Sequence, residues 1–420
     1  MKALAERLRR ERVRLDDYSV DDLIALVAAA AERWAAPGSP LAPLRQQGLL
    51  FLTGWCSGTA MRRTADRSLF GQRGFMDGFR AVAGTNRRLQ RAQPRGLVAH
   101  WLAGNVPLLG MLALAQSIIT RNANILKAAS SFSRVLPALL DTFRGLEVRR
   151  ADGRILRGDD ILATIAVVYF PRDATAAAEA LSTTADVRLA WGGREAIESI
   201  LQLPRRYGTE DIIFGPKLSF MVIGREMLSS PRLLRRMARN AATDSSVFDQ
   251  YACASPHTIF VEKGGTASPR EFAAQLAEEM GKAAIRIPKG AVDAGTAAKI
   301  ESARLRYEFT GELWRSRGTE WTVLFDDDPR GGLAEPCYSR VITVRAIDDV
   351  MQAAAFAHGG IQTVGLALSG ERKLAFASAA SLRGVERFPD IGRMTFFDSP
   401  WDGIFPMDRL VKWVTLGGPF

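Results

Sequence analysis

The sequence predicts an α/β protein with two doubly wound domains, each built on a largely parallel sheet. From about residue 94, apolar stretches of strand length alternate with stretches of helical periodicity, the pattern of parallel strands joined by helices. This alternation restarts after Pro231, which predicts a second domain of the same kind. The 420 residues, 47% hydrophobic and 24% charged, suffice for two cores in an ordinary globular protein.

The first α/β domain is predicted at residues 94–230. Its expected strands are residues 96–101, 124–128, 164–170, 187–190 and 219–223. Its expected helices are residues 108–120, 136–144, 174–184 and 196–203. The basic stretch 148–157 contains Asp152-Gly153, a pair that favours a hairpin turn over a helix.

The second α/β domain is predicted at residues 231–395. A helix over residues 233–242 leads to a turn around Cys253, and further helices are expected at residues 269–280 and 350–357. Its expected strands are residues 258–262, 322–325, 340–345 and 363–368. Residues 1–93 are predicted to be a helical region that packs on the first domain, with Ser19 as an N-cap. Residues 396–420 form a C-terminal segment.

The net charge of +11 raises the question of nucleic-acid binding, which the charge pattern disfavours. Basic residues are mostly arginines scattered along the chain with acidic residues between them and without interleaved aromatic residues. The exception is a cluster that we interpret as one solvated helix face: Arg232, Arg235, Arg236 and Arg239. A basic surface also attracts phosphorylated small molecules such as nucleotides and coenzyme A.

The cysteine and histidine content argues against disulfides and metal sites. Cys56, Cys253 and Cys337 are odd in number and widely spaced, which favours a reducing compartment and therefore the cytoplasm. No Cys-x-x-Cys pattern occurs, and three histidines are too few to suggest a zinc or iron site. No signal peptide is recognisable, and no apolar stretch is long enough to predict a membrane span.

Cys253 lies in a run of small residues, Ala252-Cys253-Ala254-Ser255, directly before a predicted strand. Such a turn leaves the sulfur uncrowded and close to backbone N–H groups that favour a thiolate. A thiolate is the nucleophile of covalent acyl chemistry. The alternative is that Cys253 is only a small buried apolar residue.

Four segments, in order, resemble the aldehyde dehydrogenase superfamily, and most closely its acyl-CoA reductase branch, the family of the bacterial luminescence fatty-acyl reductase subunit. They are residues 100–107, 121–127, 250–256 and 335–340. Together with the segments 190–193 and 214–217 they cover residues 96–401 and leave the N-terminal ninety uncovered. The resemblance implies an aldehyde-dehydrogenase-like fold, with two Rossmann-like domains and a small sheet extension for homo-oligomerisation.

The resemblance implies roles for residues in both domains. Asn105, in a Gly-Asn-x-Pro turn, matches an asparagine of the oxyanion hole, and Cys253 matches the nucleophile. The alternative for Asn105 is a helix cap. Lys127 matches the lysine that binds the adenosine ribose of a dinucleotide, and a lysine at a strand end near a helix N-terminus, with Ser130 after it, suits a ribose hydroxyl or a phosphate. The alternative for Lys127 is an ordinary surface lysine.

Further cofactor contacts are expected from a double glycine and a glutamate. Gly192 and Gly193 close a strand and open a helix, so the backbone could approach a pyrophosphate. Glu335 matches the glutamate that holds the nicotinamide ribose. The alternatives are a plain turn and a surface glutamate. The residues match no G-x-G-x-x-G pattern, which the superfamily does not require. Cys337 and His257 are expected to be structural.

One departure from the superfamily predicts the reaction. Hydrolytic aldehyde dehydrogenases carry a water-activating glutamate before the segment that matches Phe214-Gly215-Pro216-Lys217, and Ile213 stands there. An aliphatic side chain cannot act as a general base. The sequence therefore predicts NAD(P)H-dependent reduction of an acyl thioester to an aldehyde through a Cys253 acyl-enzyme.

The resemblance favours NADPH without separating it from NADH, and it makes coenzyme A or an acyl-carrier protein the leaving thiol. Two alternatives stay open. One is a hydrolytic aldehyde dehydrogenase, which Ile213 disfavours. The other is a non-catalytic binding protein on the same fold, which the presence of Cys253, Asn105 and Glu335 disfavours.

Overall fold

The computed structural model describes residues 1–82, 88–102, 108–130, 135–328 and 331–417. Its contacts divide the chain into two compact units. The first unit comprises Met1–Gly215 and Phe397–Phe420, and the second comprises Pro216–Phe396. The strand that the sequence groups with the first domain, residues 218–223, belongs to the second unit because its two neighbouring strands lie there.

Four α-helices lie in the N-terminal part of the first unit: α1 (Lys2–Arg12), α2 (Val20–Ala35), α3 (Leu49–Trp55) and α4 (Gly58–Ser68). Ser19 is the N-cap of α2, as predicted. Its Oγ accepts a hydrogen bond from the N–H of Asp22, and the Asp22 carboxylate accepts one from the N–H of Ser19. This reciprocal pair satisfies donors at the helix start and fixes where α2 begins.

Strands and helices alternate through the rest of the first unit up to Gly215. The strands are β1 (Arg80–Ala81), β2 (Leu89–Pro94), β3 (Leu97–Trp101), β4 (Ala123–Lys127), β5 (Glu147–Arg149), β6 (Ile155–Arg157), β7 (Ile165–Val168), β8 (Val187–Trp191) and β9 (Glu210–Phe214). The helices are α5 (Leu108–Ile119), α6 (Val135–Asp141), α7 (Gly158–Ala163), α8 (Thr175–Thr184) and α9 (Arg194–Gln202). The predicted Asp-Gly hairpin is the antiparallel pair β5–β6.

The central sheet of the first unit is parallel, with the strand order β7-β4-β3-β8-β9. Every residue of β3 is buried, as expected for a central parallel strand. From β3 the chain moves outward through β4 to β7 and then returns to β8 on the other side of β3. This reversal creates a switch point at the carboxyl ends of β3 and β8, where α/β sheets bind ligands.

The second unit is built on one larger sheet flanked by helices. The strands are β10 (Leu218–Ile223), β11 (Pro256–Glu262), β12 (Glu312–Arg315), β13 (Thr322–Asp326), β14 (Val341–Ile347) and β15 (Ile361–Ala367). The helices are α10 (Pro231–Ser246), α11 (Pro269–Arg286), α12 (Ala294–Thr310), α13 (Val350–Ala354) and α14 (Gly370–Ser381).

The six-stranded sheet has the order β12-β13-β14-β11-β10-β15 and is parallel except for the pair β12–β13. Apolar residues cover both faces of it. One core packs strand residues such as Ile259 against Ala238 of α10 and Phe272 of α11. The other packs residues such as Phe260 against Phe376 of α14. The predicted doubly wound α/β architecture is therefore confirmed.

A small antiparallel sheet completes the first unit. It has the order β1-β2-β16, where β16 (Val411–Leu416) follows the short helix α15 (Pro406–Arg409). β16 pairs with β2 along its whole length, from Val411 opposite Pro94 to Leu416 opposite Leu89. This sheet is the counterpart of the expected sheet extension, and its use in homo-oligomerisation stays a prediction. In the described ranges, no helix is both long and apolar enough to cross a bilayer.

Candidate active site

Cys253 lies in the second unit, in the turn that connects α10 to β11. After α10, a 3-10 turn (Val247–Gln250) holds Phe248, Asp249 and Gln250 in left-handed conformations, with φ of 54°, 49° and 69°. Cys253 is half-buried, and its carbonyl oxygen accepts a hydrogen bond of 2.6 Å from Ser219 Oγ. The small residues around Cys253 allow this tight course, and the bond from β10 fixes the backbone that carries the sulfur.

A charged pair anchors the same turn. Arg340, which is only 1% exposed, donates from Nε and Nη2 to Oδ1 of Asp249 at 2.8 and 2.6 Å. Arg340 Nη1 also donates to the carbonyl of Ile287, and Asp249 accepts from the N–H of Gly290. Burial lowers the pKa of Arg340, and Asp249 opposes that shift. A buried guanidinium with these acceptors holds the turn at a fixed distance from the segment before β14.

Gln250 ties the turn to the start of β14. Its side chain is fully buried, and Nε2 donates to the carbonyls of Pro256 (2.6 Å) and Val341 (2.9 Å). Its Oε1 accepts from the N–H of Val341 at 3.0 Å. The hydrogen bonds of Gln250 and the Asp249–Arg340 pair together bring two of the sequence segments, 250–256 and 335–340, into contact within one unit.

The segment on the other side of this contact is itself constrained. Tyr338, Ser339 and Arg340 all have left-handed backbones, with φ of 57°, 57° and 64°. Tyr338 stacks on Tyr251 with ring centroids 5.4 Å apart and planes 2° from parallel. Three consecutive non-glycine residues in this region cost conformational energy, which proteins retain mostly where geometry serves function.

Glu335 precedes this constrained stretch and borders a pocket of about 240 Å³ in the second unit. The pocket is lined by apolar side chains including Leu324 and Pro336, and by His257, Tyr307, Cys337 and Arg345. Burial raises the pKa of Cys337, so this thiol is less suited than an exposed one to act as a nucleophile. The raised pKa and the apolar neighbours of Cys337 are compatible with the structural role that the sequence predicts for it.

His257 is packed rather than poised for proton transfer. It is 5% exposed, and its ring meets the edge of Tyr338 at a centroid distance of 5.0 Å. Burial lowers its pKa to about 4. A group with that pKa is a weak proton acceptor at neutral pH, so His257 is not suited to generate the Cys253 thiolate.

We expect His257→Leu to leave Cys253 acylation within about threefold of the unmodified rate, since a weak base contributes little.

The same substitution should also reduce the loss of folding stability at low pH. A folded pKa below the unfolded value means that the unfolded chain binds the extra proton. Stability is then lost as pH falls from about 6.5 towards about 4, by roughly 1.4 kcal/mol per pH unit. Urea unfolding at several pH values measures the difference between variant and parent. His358 is exposed, so His358→Leu is the matched control for both measurements. A large loss of acylation in His257→Leu, without such a loss in His358→Leu, would show that His257 acts as a base.

The expected cofactor residues of the first unit lie at one edge of its sheet. Lys127 ends β4 and the pair Gly192–Gly193 follows β8, and both strands flank β3, where Trp101 is paired with Lys127 and with Ala190. Lys127 is half-buried, burial lowers its pKa, and its ammonium lies 5.5 Å from the centroid of the Phe170 ring. This is the carboxyl edge at the switch point of the sheet.

The turn after β8 is open. Gly193 is the N-cap residue of α9, and as a glycine it offers no side chain to cap the helix. A Cβ added at Gly193 would meet no atom within 4 Å. The first turn of α9 carries N–H groups without helical partners, and the open space beside Gly193 leaves room for the backbone to approach a phosphate of a dinucleotide. Ser130 is exposed and follows β4 at the same edge. Asn105 lies outside the described residues, in the segment that follows β3.

Ile213 lies in β9, opposite Ala190 of β8. Its half-buried side chain packs against an apolar cluster of the first unit that includes Ile197. The next residue, Phe214, stacks on Trp191 at a centroid distance of 3.9 Å. The position that matches the water-activating glutamate of hydrolytic relatives is therefore an apolar packing position here.

The sequence does not predict three residues that anchor the Cys253 turn: Ser219, Asp249 and Arg340. Asp249 directly precedes the motif around Cys253, and Arg340 closes the segment that begins with Glu335. Both lie within or beside matched segments, so their proximity to the motifs was the available signal.

Among the described residues, no group of three His, Cys, Asp or Glu side chains is placed to hold a metal ion.

Comparison with solved structures defines the class of this fold. Over 99% of its length the chain superposes on a point mutant of the 1-pyrroline-5-carboxylate dehydrogenase of Thermus thermophilus (TM-score 0.64, 13% identity, 84% of that chain). It superposes equally on an NAD-dependent benzaldehyde dehydrogenase of Corynebacterium glutamicum (TM-score 0.63, 14% identity, 90% of that chain). The fold is thus that of the aldehyde dehydrogenases, as the sequence predicted.

Within that fold, the sequence defines the family. Residues 15–413 match the family described as acyl-CoA reductase (LuxC), and the chain belongs to it. It is 28% identical over 335 residues to a long-chain acyl-protein thioester reductase of Aliivibrio fischeri and 29% identical over 338 residues to one of Vibrio harveyi. Each match covers 79% of this chain and 66% of the relative, so the chain spans just under two thirds of their length.

Proposed function

We propose that this protein reduces an acyl thioester to an aldehyde with a reduced nicotinamide dinucleotide, through an acyl-enzyme on Cys253. The observation that carries the proposal is the anchored turn of Cys253, fixed by Ser219, Gln250 and the Asp249–Arg340 pair. The names of the relatives, long-chain acyl-protein thioester reductases, support the same chemistry.

The steps follow from the groups present. The Cys253 thiolate attacks the thioester carbonyl, and Asn105 N–H₂ and the Cys253 N–H donate to the resulting oxyanion. Collapse of this tetrahedral species breaks the bond to the departing thiol, which leaves as a thiolate and takes up a proton. The acyl group is then bound to Cys253 through a new C–S bond. A reduced nicotinamide dinucleotide, when bound, would supply the hydride that this acyl-enzyme needs. Cys253 then leaves the acyl carbon as a thiolate, which breaks the C–S bond and releases the aldehyde.

The cofactor contacts are proposed from the sequence resemblance, residue by residue. Lys127 and Ser130 are proposed to bind the adenosine ribose and its phosphates, and the open turn Gly192–Gly193 the pyrophosphate. Glu335 is proposed to hold the nicotinamide ribose through its carboxylate. NADPH is favoured over NADH by family resemblance.

The leaving thiol is proposed to be coenzyme A or the thiol of a carrier protein. An acyl-carrier protein is therefore one proposed partner, and a second copy of this chain, joined through the small antiparallel sheet, is another. We propose a cytoplasmic location, which the reducing conditions favoured by the cysteine count support.

Mixing the protein with a panel of acyl-CoA thioesters, without cofactor, tests the proposal directly. Intact mass should increase by one acyl group, and peptide mapping should place that group on Cys253. The chain lengths that react name the acyl class. Absence of any acyl adduct, with intact folding, would favour a non-catalytic protein on the same fold.

Oxidation in the reverse direction should depend on a thiol. Given an aldehyde and oxidised cofactor, the enzyme should turn over with free coenzyme A and produce the thioester. Without a thiol we expect turnover at least about tenfold slower, because water without a positioned base is a poor nucleophile and Ile213 supplies none. Mass spectrometry of the products with and without coenzyme A measures this. Rapid formation of free carboxylic acid in the absence of thiol would support the hydrolytic alternative.

A further inference from the structure

A strongly basic groove runs between two helices of the second unit, and it shares no lining residue with the pocket beside Glu335. It encloses about 760 Å³ against α10 and α11. Six of its eight lining residues are cationic, and one is a carboxylate. We call it the arginine groove, and it is lined by Pro231, Arg232, Arg235, Arg236, Arg239, Glu279, Lys282 and Arg286.

The spacing of the arginines along α10 places them on the face of the helix that is not buried in the core. Positions 232, 235, 236 and 239 fall on one face of a helix, and the four side chains line the groove. The opposite face, with Met237, Ala238 and Ala241, is buried in the core against the sheet. The solvated helix face predicted from the sequence is thus one wall of the groove, and Lys282 and Arg286 of α11 provide the other.

The charge of the groove is not compensated within the described part of the chain. Lys282 pairs with the buried Glu279 at 2.6 Å. The five arginines have no carboxylate within 4 Å among the described residues, whereas buried arginines elsewhere, such as Arg188 and Arg340, are paired. Like charges at this spacing repel one another and lower the stability of the fold. A contribution to folding therefore does not explain the cluster. It has the electrostatic form of a surface that receives a negative partner.

The lining indicates what kind of partner fits. None of the eight residues is aromatic, whereas sites for single-stranded nucleic acid stack bases on aromatic rings. The cations are spread along two helices instead of converging on one phosphate. An acidic protein surface with several carboxylates matches this distribution.

We propose that the arginine groove docks an acidic protein that carries the acyl thioester. The inference rests on the proposed function, which requires a thioester donor for Cys253. It also rests on the position of α10, because this helix leads through the turn Val247–Gln250 directly to the Cys253 loop. A carrier bound along α10 is therefore held by the helix whose C-terminus leads into the Cys253 turn. Docking there raises the local concentration of the thioester and accelerates association.

Neutralising the groove tests the proposal. The groove variant replaces Arg232, Arg235, Arg236 and Arg239 with glutamine. The control variant removes the same charge from four exposed basic residues elsewhere, Lys2, Arg10, Arg149 and Arg383, also by glutamine. Each protein is given two donors, hexadecanoyl-CoA and a hexadecanoyl thioester on an acidic acyl-carrier protein. Intact mass follows acylation of Cys253 over time, and the unfolding temperature of each variant is compared with the parent.

The groove variant should react at least about tenfold more slowly with the carrier-protein donor at low salt, and within about twofold of the parent with the CoA donor. Added salt should slow the parent's reaction with the carrier protein and have little effect on that of the groove variant, since screening replaces what the substitutions removed. The control variant should behave like the parent with both donors. The substituted side chains lie at the surface, so unfolding temperatures should stay similar.

Other outcomes overturn the docking proposal. Equal losses with both donors would assign the groove to the phosphates of coenzyme A, and no loss with either would leave it without a role in acylation. A DNA duplex that displaces the carrier from the parent protein would assign it to nucleic acid. Anisotropy of the labelled carrier protein measures docking even if neither donor acylates Cys253. Lost docking with intact acylation then contradicts only this inference, and absent acylation with intact docking contradicts only the proposed function.

Discussion

Cys253→Ala should abolish both acyl-enzyme formation and aldehyde production. In the proposed mechanism the sulfur of Cys253 is the atom that accepts the acyl group. Nucleotide binding should persist, because the proposed adenosine and pyrophosphate contacts lie in the first unit. Intact mass with an acyl thioester and trapping of the aldehyde measure the two chemical steps, and titration with the cofactor measures binding.

The other two cysteines provide controls for that variant. Cys56 is fully buried, which raises its pKa to about 12, and burial also raises the pKa of Cys337. Cys56→Ala and Cys337→Ala should therefore keep the adduct. Cys253→Ser should be almost inactive, since a hydroxyl needs an adjacent base and His257 is a weak one. Turnover retained by Cys253→Ala would remove the proposed mechanism altogether.

Asn105→Ala should lower turnover by roughly a hundred- to a thousandfold, the usual loss on removal of one oxyanion donor. The loss should appear in the rate of Cys253 acylation, because that step develops the negative oxygen. The unfolding temperature should change little if the side chain serves the site. Single-turnover kinetics with an acyl-CoA measure the step without interference from hydride transfer.

A second substitution separates the oxyanion role from helix capping. Aspartate caps a helix as well as asparagine does but cannot donate to an oxyanion, and its charge repels one. Asn105→Asp should therefore be at least as slow as Asn105→Ala. Near-normal acylation by Asn105→Asp, together with a stability loss in Asn105→Ala, would show that Asn105 is a cap and not an oxyanion donor.

The sequence predicts the regular part of the fold because local patterns are strong there. The run of β-branched and apolar residues in β11 and the longer run of small and apolar residues in α5 each identify one element without help from the rest of the chain. β9 was missed, since Glu210 and Asp211 open it and only two of its five residues are fully buried. The pairing of β2 with β16 joins segments far apart in sequence, which no local pattern reveals.

The candidate site shows the same division. Cys253 was recognisable because small residues around a cysteine are a chemical signal. The anchoring of its turn was not, because Phe248, Asp249 and Gln250 adopt left-handed backbones that are usually signalled by glycine. Arg340 is buried although arginine is mostly found at the surface, so composition gives no reason to place it beneath the loop.

The discontinuity of the first unit has a consequence for synthesis. Its last strand, β16, is translated after the whole second unit, so the edge of β2 has no partner while about 300 further residues are made. At ordinary rates of chain elongation this takes on the order of 15–60 s. The second unit, which is continuous in sequence, can complete its sheet within that interval. We therefore expect nascent chains to expose β2 as an unpaired edge, and chaperones that shield such edges to govern the yield of this protein.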